Sequence, residues 1–163
     1  MKKIILSCLL ILPFLVFGKS IPSTYYLTAP NCKVKPKWVE EKPDANKKIF
    51  SEAEYVKIHE GFSVNIQSSS CSGDWTMSEN YLYYFSGKIQ NYVKEYSTVY
   101  TSHENGIRVR EVYAYDEKGA IKKEYVKIFD LKTDVQILNH NDISFKTPES
   151  KVIKSIQELP FKK

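Results

Sequence analysis

The chain has 163 residues, of which 13% are aromatic, and its formal net charge is +5 at pH 7. Without an N-terminal leader this is the size of one ordinary domain. The charge is too small to indicate a nucleic-acid partner, since such proteins carry concentrated basic patches. No segment beyond the N-terminus approaches the about 20 apolar residues that span a bilayer.

The N-terminus has the organisation of a signal peptide. Lys2 and Lys3 form a basic start, residues 4–17 are mainly apolar, and Gly18 completes a signal-peptidase site. We therefore predict cleavage of residues 1–18 and export to the periplasm or the exterior. The alternative, an uncleaved N-terminal anchor, requires a longer apolar run. Cleavage leaves 22 basic and 19 acidic side chains, a charge of about +3.

The mature chain retains two cysteines, Cys32 and Cys71, because Cys8 lies in the signal peptide. Cysteines of small exported domains are more often paired than free, which predicts a disulfide between these two. Two cysteines without histidine or carboxylate ligands at metal-site spacing do not indicate zinc. We expect no metal and no cofactor.

Four prolines punctuate residues 19–44, which predicts an irregular N-terminal arm. Trp38 is its large apolar anchor and is expected to pack the arm on the domain, with ligand stacking as the alternative. Residues 45–163 are predicted to form a single β-rich globular domain.

The domain begins with a predicted hairpin of residues 54–59 and 62–67, since apolar residues alternate in the second run. Serine, glycine and aspartate dominate residues 68–80, which are predicted to form a loop.

A tyrosine-rich meander follows, with predicted strands at residues 81–85, 88–101, 107–115 and 120–129. Glycine-containing turns separate the strands, and the Asn-Gly pair at residues 105–106 is typical of a tight hairpin turn. The segment is the main sheet of the predicted fold.

Two stretches of this meander, residues 84–89 and 115–121, share a tyrosine followed by a glycine turn and an isoleucine. They resemble the Tyr/Gly hairpin repeats of MORN-variant proteins. The resemblance covers less than a third of the chain and implies a hairpin at each stretch, without a function.

The C-terminal region is predicted to form short strands at residues 135–138 and 143–145 and a helix at residues 148–159. Thr147 and Pro148 form a typical helix start, and an apolar stripe follows at helical spacing. The predicted fold class is mainly β (α+β): an antiparallel β-meander sheet or small open barrel with one C-terminal α-helix.

The high tyrosine content of the meander has two interpretations. Cross-strand packing is the common role of aromatic residues in sheets. A recognition surface is the alternative, because tyrosine offers apolar area and a hydroxyl together, and neighbouring arginines add polar anchors. The candidate binding surface comprises Trp75, Tyr83, Tyr96, Arg108, Arg110, Tyr113 and Tyr115.

The sequence contains no phosphate-binding, zincin or nucleophile-elbow motif, and it assigns no catalytic residue. The predicted function is that of an exported binding protein whose partner is another protein, such as an envelope inhibitor or a toxin-immunity protein. One alternative is a hydrolase with a dispersed site that uses His59, His103 or His140. The other is a structural component of the envelope. Oligomeric state is not indicated.

Overall fold

The computed structural model describes residues 21–139, 141–145 and 150–161. Eight strands form one open antiparallel sheet in the order β2-β1-β3-β4-β5-β6-β7-β8. From β4 onward each strand lies beside the strand that precedes it in the chain, which confirms the mainly β meander. The strands are β1 Ser23–Ala29, β2 Lys37–Val39, β3 Lys48–Ile58, β4 Gly61–Ser69, β5 Trp75–Tyr83, β6 Ile89–Thr98, β7 Ile107–Tyr115 and β8 Ile121–Asp130.

The region predicted as an irregular arm, residues 19–44, contains two strands. β1 pairs with β3 and β2 pairs with β1, where Trp38 lies opposite Leu27. Pro30 and Pro36 fall in the turn between the two strands, so they do not interrupt either ladder. Trp38 packs against the core of the domain, as expected.

The predicted loop at residues 68–80 is also shorter than expected, because β5 begins at Trp75. Alternate residues of this strand are buried, among them Met77, Glu79 and Tyr81. A buried glutamate interrupts the apolar period, which explains why the first half of β5 does not have the apolar alternation typical of a strand.

The two hairpin turns with the MORN-like pattern have the same construction. Tyr84 N donates to Lys88 O and Asp116 N donates to Ala120 O, each at 2.9 Å. A glycine with positive φ follows in each turn, and the ladder beside each turn contains an irregularity in register. The hairpins expected at both stretches are present.

One face of the sheet carries the core, and we call it the covered face. Residues 150–161 pack over its first apolar cluster, which includes Val64, Tyr83 and Ile89. Ile137, Ile143 and Phe145 pack over the second cluster, which includes Tyr96 and Val109. The core is therefore one layer of side chains between the sheet and two irregular segments.

The C-terminal helix predicted at residues 148–159 is wrong apart from a single 3₁₀ turn, Ile156–Glu158. The backbone here bonds to the sheet: Ile89 N donates to Lys154 O at 3.0 Å, and the Tyr83 hydroxyl donates to Ile153 O at 3.0 Å. These contacts use carbonyls that a helix would need for its own bonds. The predicted helix start at residues 147–148 lies outside the described residues.

The strands predicted at residues 135–138 and 143–145 are reduced to isolated bridges. Gln136 pairs with Phe129, and Phe145 pairs with Thr101. Each segment contributes side chains to the core rather than a ladder.

The predicted disulfide is confirmed. Cys32, in the turn after β1, is bonded to Cys71, in the turn between β4 and β5, with Cα atoms 6.0 Å apart. The Lys48 ammonium donates to the carbonyl of Cys71 beside the bridge. The bond therefore fixes the turn of the N-terminal strand pair to the turn of the central hairpin.

Candidate functional site

The second face of the sheet has no covering segment among the residues that the structure describes, and we call it the open face. Directly paired residues of neighbouring strands point to the same side of a sheet, so the registers define this face. Its three central rows, each written from β3 to β8, are Glu52, Gln67, Ser78, Glu95, Arg110 and Lys127; Glu54, Asn65, Asn80, Val93, Val112 and Tyr125; and Val56, Ser63, Leu82, Asn91, Ala114 and Lys123.

Charge is distributed unevenly across the open face. Glu52 and Glu54 are exposed on β3, whereas Lys123 and Lys127 are exposed on β8. Five strand spacings separate β3 from β8, a distance of about 24 Å. The face is thus acidic on one side and basic on the other.

Neutral polar side chains form a hydrogen-bonded network between these sides. Asn65 Nδ2 donates to Asn80 Oδ1 at 2.6 Å, and Gln67 Nε2 donates to Ser78 Oγ at 2.9 Å. A further bond from Gln67 Nε2 to Asn65 Oδ1, at 3.0 Å, links the two rows. The network holds amide groups in fixed orientations on a surface that faces solvent.

The basic side is also ordered. The Lys123 and Lys127 ammonium groups lie 5.6 and 5.7 Å from the centre of the Tyr125 ring, within the range of cation–π attraction. Since the three residues alternate along β8, Tyr125 holds one ammonium on each side of its ring. Both charges are thereby kept close to the sheet surface.

Arg108 and Arg110 lie on the open face of β7 in different environments. The guanidinium carbon of Arg108 is 4.7 Å from the centre of the Phe129 ring, and its Nη1 is 3.2 Å from Glu95 Oε1. Arg108 also pairs with Asp134. Arg110 has a longer contact with Glu95, at 3.9 Å, and is the more exposed side chain. Arg108 is therefore held in place by contacts within the chain, whereas the guanidinium of Arg110 is accessible to a binding partner.

The structure separates the seven residues of the surface expected from sequence. Only the two arginines lie on the open face. Tyr83, Tyr96 and Tyr115 are 0%, 1% and 4% exposed on the covered face, so they are core residues and form no recognition surface. Trp75 and Tyr113 are half-buried on the same covered face. The expected single surface is therefore corrected to two arginines and a set of packing aromatics.

Sequence reasoning missed the polar residues of β4 and β5 that form the hydrogen-bonded network of the open face. The signal was present, since Ser63, Asn65 and Gln67 alternate with buried apolar residues. On β5 the same period continues through Ser78 and Asn80. On β5, where a loop was predicted, the abundance of serine and asparagine, which are common in loops, obscured this period of two.

A polar row also crosses the covered face between the two apolar clusters. Glu79 and Lys94 are buried and directly paired, and Lys94 Nζ lies 3.8 Å from Glu111 Oε1. The hydroxyls of Tyr81 and Tyr92 donate to Glu79 Oε1 at 2.9 and 2.7 Å. Burial, reinforced by the Glu79 carboxylate, raises the pKa of both hydroxyls, which keeps them protonated as donors. The buried charges of Glu79 and Lys94 therefore have hydrogen-bond and ion-pair partners inside the core.

The two described histidines, His59 and His103, do not meet. His59 lies in the β3–β4 turn and His103 in the β6–β7 turn, at opposite ends of the meander. His103 Nε2 is 2.7 Å from Asp130 Oδ2, and Asn105 Nδ2 donates to the same oxygen at 2.8 Å. Hydrogen bonds from Asn105 and Thr133 lower the pKa of Asp130. This arrangement ties the β6–β7 turn to the end of β8, and His140 lies outside the described residues.

Comparisons with known proteins give no match to a family model, to a curated protein or to a solved structure. Across residues 21–139, 141–145 and 150–161, no group of three or more His, Cys, Asp or Glu side chains is arranged to hold a metal ion. Nor does this part of the chain contain a helix long and apolar enough to cross a membrane.

Proposed function

We propose that this protein is exported and acts by binding another protein through the open face, as an envelope inhibitor or as an immunity protein against a delivered toxin. The observation that carries the proposal is the open face itself. It is a six-strand-wide surface whose polar groups are already held by cross-strand bonds such as that from Asn65 to Asn80. Ordered groups lose less side-chain entropy when a partner binds, which favours recognition.

Export is supported by two features of the chain. The first 18 residues have the pattern of a cleaved signal peptide. The Cys32–Cys71 disulfide suits an oxidising compartment. Sequencing of the mature protein from the producing cell should give Lys19 as the first residue, and an intact N-terminus in a membrane fraction would contradict export.

The experiment for the binding function is capture of the partner by the mature, disulfide-bonded protein. The bait is presented to an envelope extract and the retained proteins are identified by mass spectrometry after cross-linking. A variant with Asn65→Arg and Asn80→Arg places two large charged side chains in the centre of the open face. The matched control makes the same exchange at two exposed asparagines off this face, Asn46 and Asn139.

The proposal expects capture by the wild type and by the control, and loss of capture by the open-face variant. Equal capture by all three proteins would exclude the open face as the binding site. Loss of biological activity with His59→Ala or His103→Ala, in proteins that remain folded, would instead favour the hydrolase alternative. Extraction of the protein only as part of an insoluble envelope fraction would favour a structural role.

A further inference from the structure

We propose that, in the absence of a target, the open face is occupied by a second copy of this chain in a two-fold symmetric, face-to-face dimer. The inference rests on the proposed function, since it names a partner for the same surface. It follows from the position of the charges in the cross-strand rows. Glu52 on β3 and Lys127 on β8 belong to one row, so they lie at the same height along the strands.

A two-fold axis that runs parallel to the strands, midway between β5 and β6, defines the arrangement. Rotation about this axis turns the open face over and reverses the order of the strands. It places β3 of one copy over β8 of the other while each row keeps its height. Glu52 of each copy then lies over Lys127 of the other, and Glu54 lies over Tyr125, between the two lysines that flank this ring.

The remaining positions of the charged row are also compatible. β4 of one copy lies over β7 of the other, so Gln67 meets Arg110. β5 lies over β6, so Ser78 meets Glu95. In this row no charged side chain faces another of the same sign. The charged row is thus complementary to itself about this one axis.

The alternative axis, perpendicular to the strands, is disfavoured by the same charges. It would place β3 over β3 and β8 over β8, so that the acidic pair Glu52 and Glu54 faces the same acidic strand of the other copy, and the basic pair Lys123 and Lys127 faces the same basic strand. Like charges in contact disfavour association. Sheet twist does not oppose the parallel axis, because rotation by half a turn about a strand direction superimposes a regularly twisted sheet on itself.

The contact area is that of a weak dimer. Strands β3 to β8 span about 24 Å, and seven residues along each strand span about 23 Å, which gives about 550 Å² from each copy. The total of about 1,100 Å² is near the lower limit for a specific interface. Since the contacts are polar, we expect a reversible dimer that salt weakens, because the Debye length falls to about 3 Å at 1 M.

The test uses sedimentation velocity of the mature, disulfide-bonded protein over a range of concentrations. One variant, Glu52→Lys with Glu54→Lys, makes both sides of the open face basic. The other, Lys123→Glu with Lys127→Glu, makes both sides acidic. A matched control, Lys35→Glu with Lys118→Glu, makes the same change of charge in exposed turns off the open face. Thermal unfolding establishes that each variant is folded.

The proposal expects a concentration-dependent dimer for the wild type and the control, and monomers for each charge-reversed variant alone. An equimolar mixture of the two reversed variants should dimerise again, because the rotation then pairs basic with acidic sides. A wild type that stays monomeric, or reversed variants that fail to recover on mixing, would overturn the proposal. If charge reversal unfolds a variant, Glu52→Gln with Glu54→Gln replaces it and should weaken the dimer without restoring it on mixing.

The dimer and the target-binding function can be disproved independently of each other. A monomeric wild type whose target capture depends on Asn65 and Asn80 would remove the second copy and leave the binding function intact. A charge-dependent dimer that captures no target would leave the second copy as the occupant and remove the proposed target. Each result is read from a different measurement, sedimentation in one case and capture in the other.

Discussion

The hydroxyl of Tyr92 lies 2.7 Å from Oε1 of Glu79, across the central pair of strands in the covered face. Tyr92 is 1% exposed and Glu79 is 7% exposed, so this bond is shielded from water. Tyr81 donates to the same oxygen. The carboxylate is thus accommodated in the core by hydroxyls from two strands.

We expect Tyr92→Phe to lower the free energy of unfolding by about 1.5–3 kcal/mol, the usual range for a hydrogen bond to a charged group. The reason is that Glu79 loses one donor while it remains buried. Tyr125→Phe is the control, because the Tyr125 hydroxyl has no hydrogen-bond partner among the described residues, and it should change stability by less than about 0.5 kcal/mol. Urea unfolding of both variants measures the difference, and equal values would contradict the role assigned to Tyr92.

Alkaline pH should unfold the protein. Burial, together with the carboxylate of Glu111, raises the pKa of Tyr113 to about 12, and burial raises the pKa of Tyr81, Tyr83 and Tyr92 as well. A folded pKa above the unfolded value of about 10 means that the stabilisation is complete below pH 10 and is lost as the pH rises beyond it. The part of the tyrosinate absorbance that comes from these side chains should therefore appear together with the loss of the circular-dichroism signal, in one cooperative step. Complete tyrosine titration at about pH 10 with the sheet intact would contradict the buried positions.

Much of this fold follows from periodicity in the sequence. The alternation in β7 predicts its bounds as residues 107–115, which the structure reproduces. The same alternation divides the residues of the expected binding surface. Arg108 and Arg110 occupy even positions of β7, whereas Tyr113 and Tyr115 occupy odd positions. Residues of opposite parity in a regular strand cannot share a face. The composition of the meander suggested one surface, but the alternation along β7 places its arginines and its tyrosines on opposite faces of the sheet.

The C-terminal segment could not be assigned from its pattern. Val152, Ile153, Ile156 and Leu159 fit one stripe of a helix, yet the same residues contact the core from an extended segment with a single 3₁₀ turn. The conformation of this segment is determined by long-range hydrogen bonds, such as that from the Tyr83 hydroxyl to Ile153 O, which joins residues 70 positions apart. Local propensity contains no information about them.

Gly61 and Gly73 both have positive φ, but only Gly61 lacks space for a side chain. Substitution of each by alanine therefore distinguishes the steric cost of a side chain from the cost of the backbone conformation. Gly61 has φ +147°, and a Cβ at this position would lie 1.9 Å from the carbonyl oxygen of Tyr83. Gly73 has φ +79° with no atom within 4 Å of its added Cβ. Gly73→Ala should lower the free energy of unfolding by about 1–2 kcal/mol, the cost of a left-handed residue with a side chain.

Gly61→Ala should have a larger effect, because the β3–β4 hairpin has to move away from β5 in addition to accepting the strained backbone. Thermal unfolding of the two variants provides the comparison. A Gly61→Ala protein as stable as Gly73→Ala would show that the hairpin relaxes without loss.

The disulfide should contribute to global stability. It closes a loop between residues 39 positions apart, for which the chain-entropy estimate is about 4 kcal/mol. Cys32→Ser should lower the free energy of unfolding by about 2–5 kcal/mol and release one titratable thiol from Cys71. The double variant Cys32→Ser with Cys71→Ser controls for effects of the released thiol. Two reactive thiols in unfolded, unreduced mature wild type would contradict the bond.

The final prediction separates the two arginines of the open face. Arg108 stacks on Phe129 and pairs with Glu95 and Asp134, whereas Arg110 has one long contact and is about half exposed. Arg108→Ala should therefore lower the free energy of unfolding by about 1 kcal/mol through lost packing and pairing. Arg110→Ala should leave stability within about 0.5 kcal/mol of the wild type, as for other exposed charges.

For binding at the open face we expect the opposite order, with a larger direct effect from Arg110→Ala than from Arg108→Ala. Because the guanidinium of Arg110 is not engaged by an aromatic ring, it is available to a carboxylate or carbonyl on a partner. We expect Arg110→Ala to weaken association at the open face while the unfolding curve stays unchanged. Arg110→Lys keeps the charge but lacks the bidentate geometry, so it should recover only part of the affinity if the arginine acts through paired hydrogen bonds. Full recovery by lysine would assign Arg110 a purely electrostatic role, and no effect of Arg110→Ala on association would remove this residue from the interface.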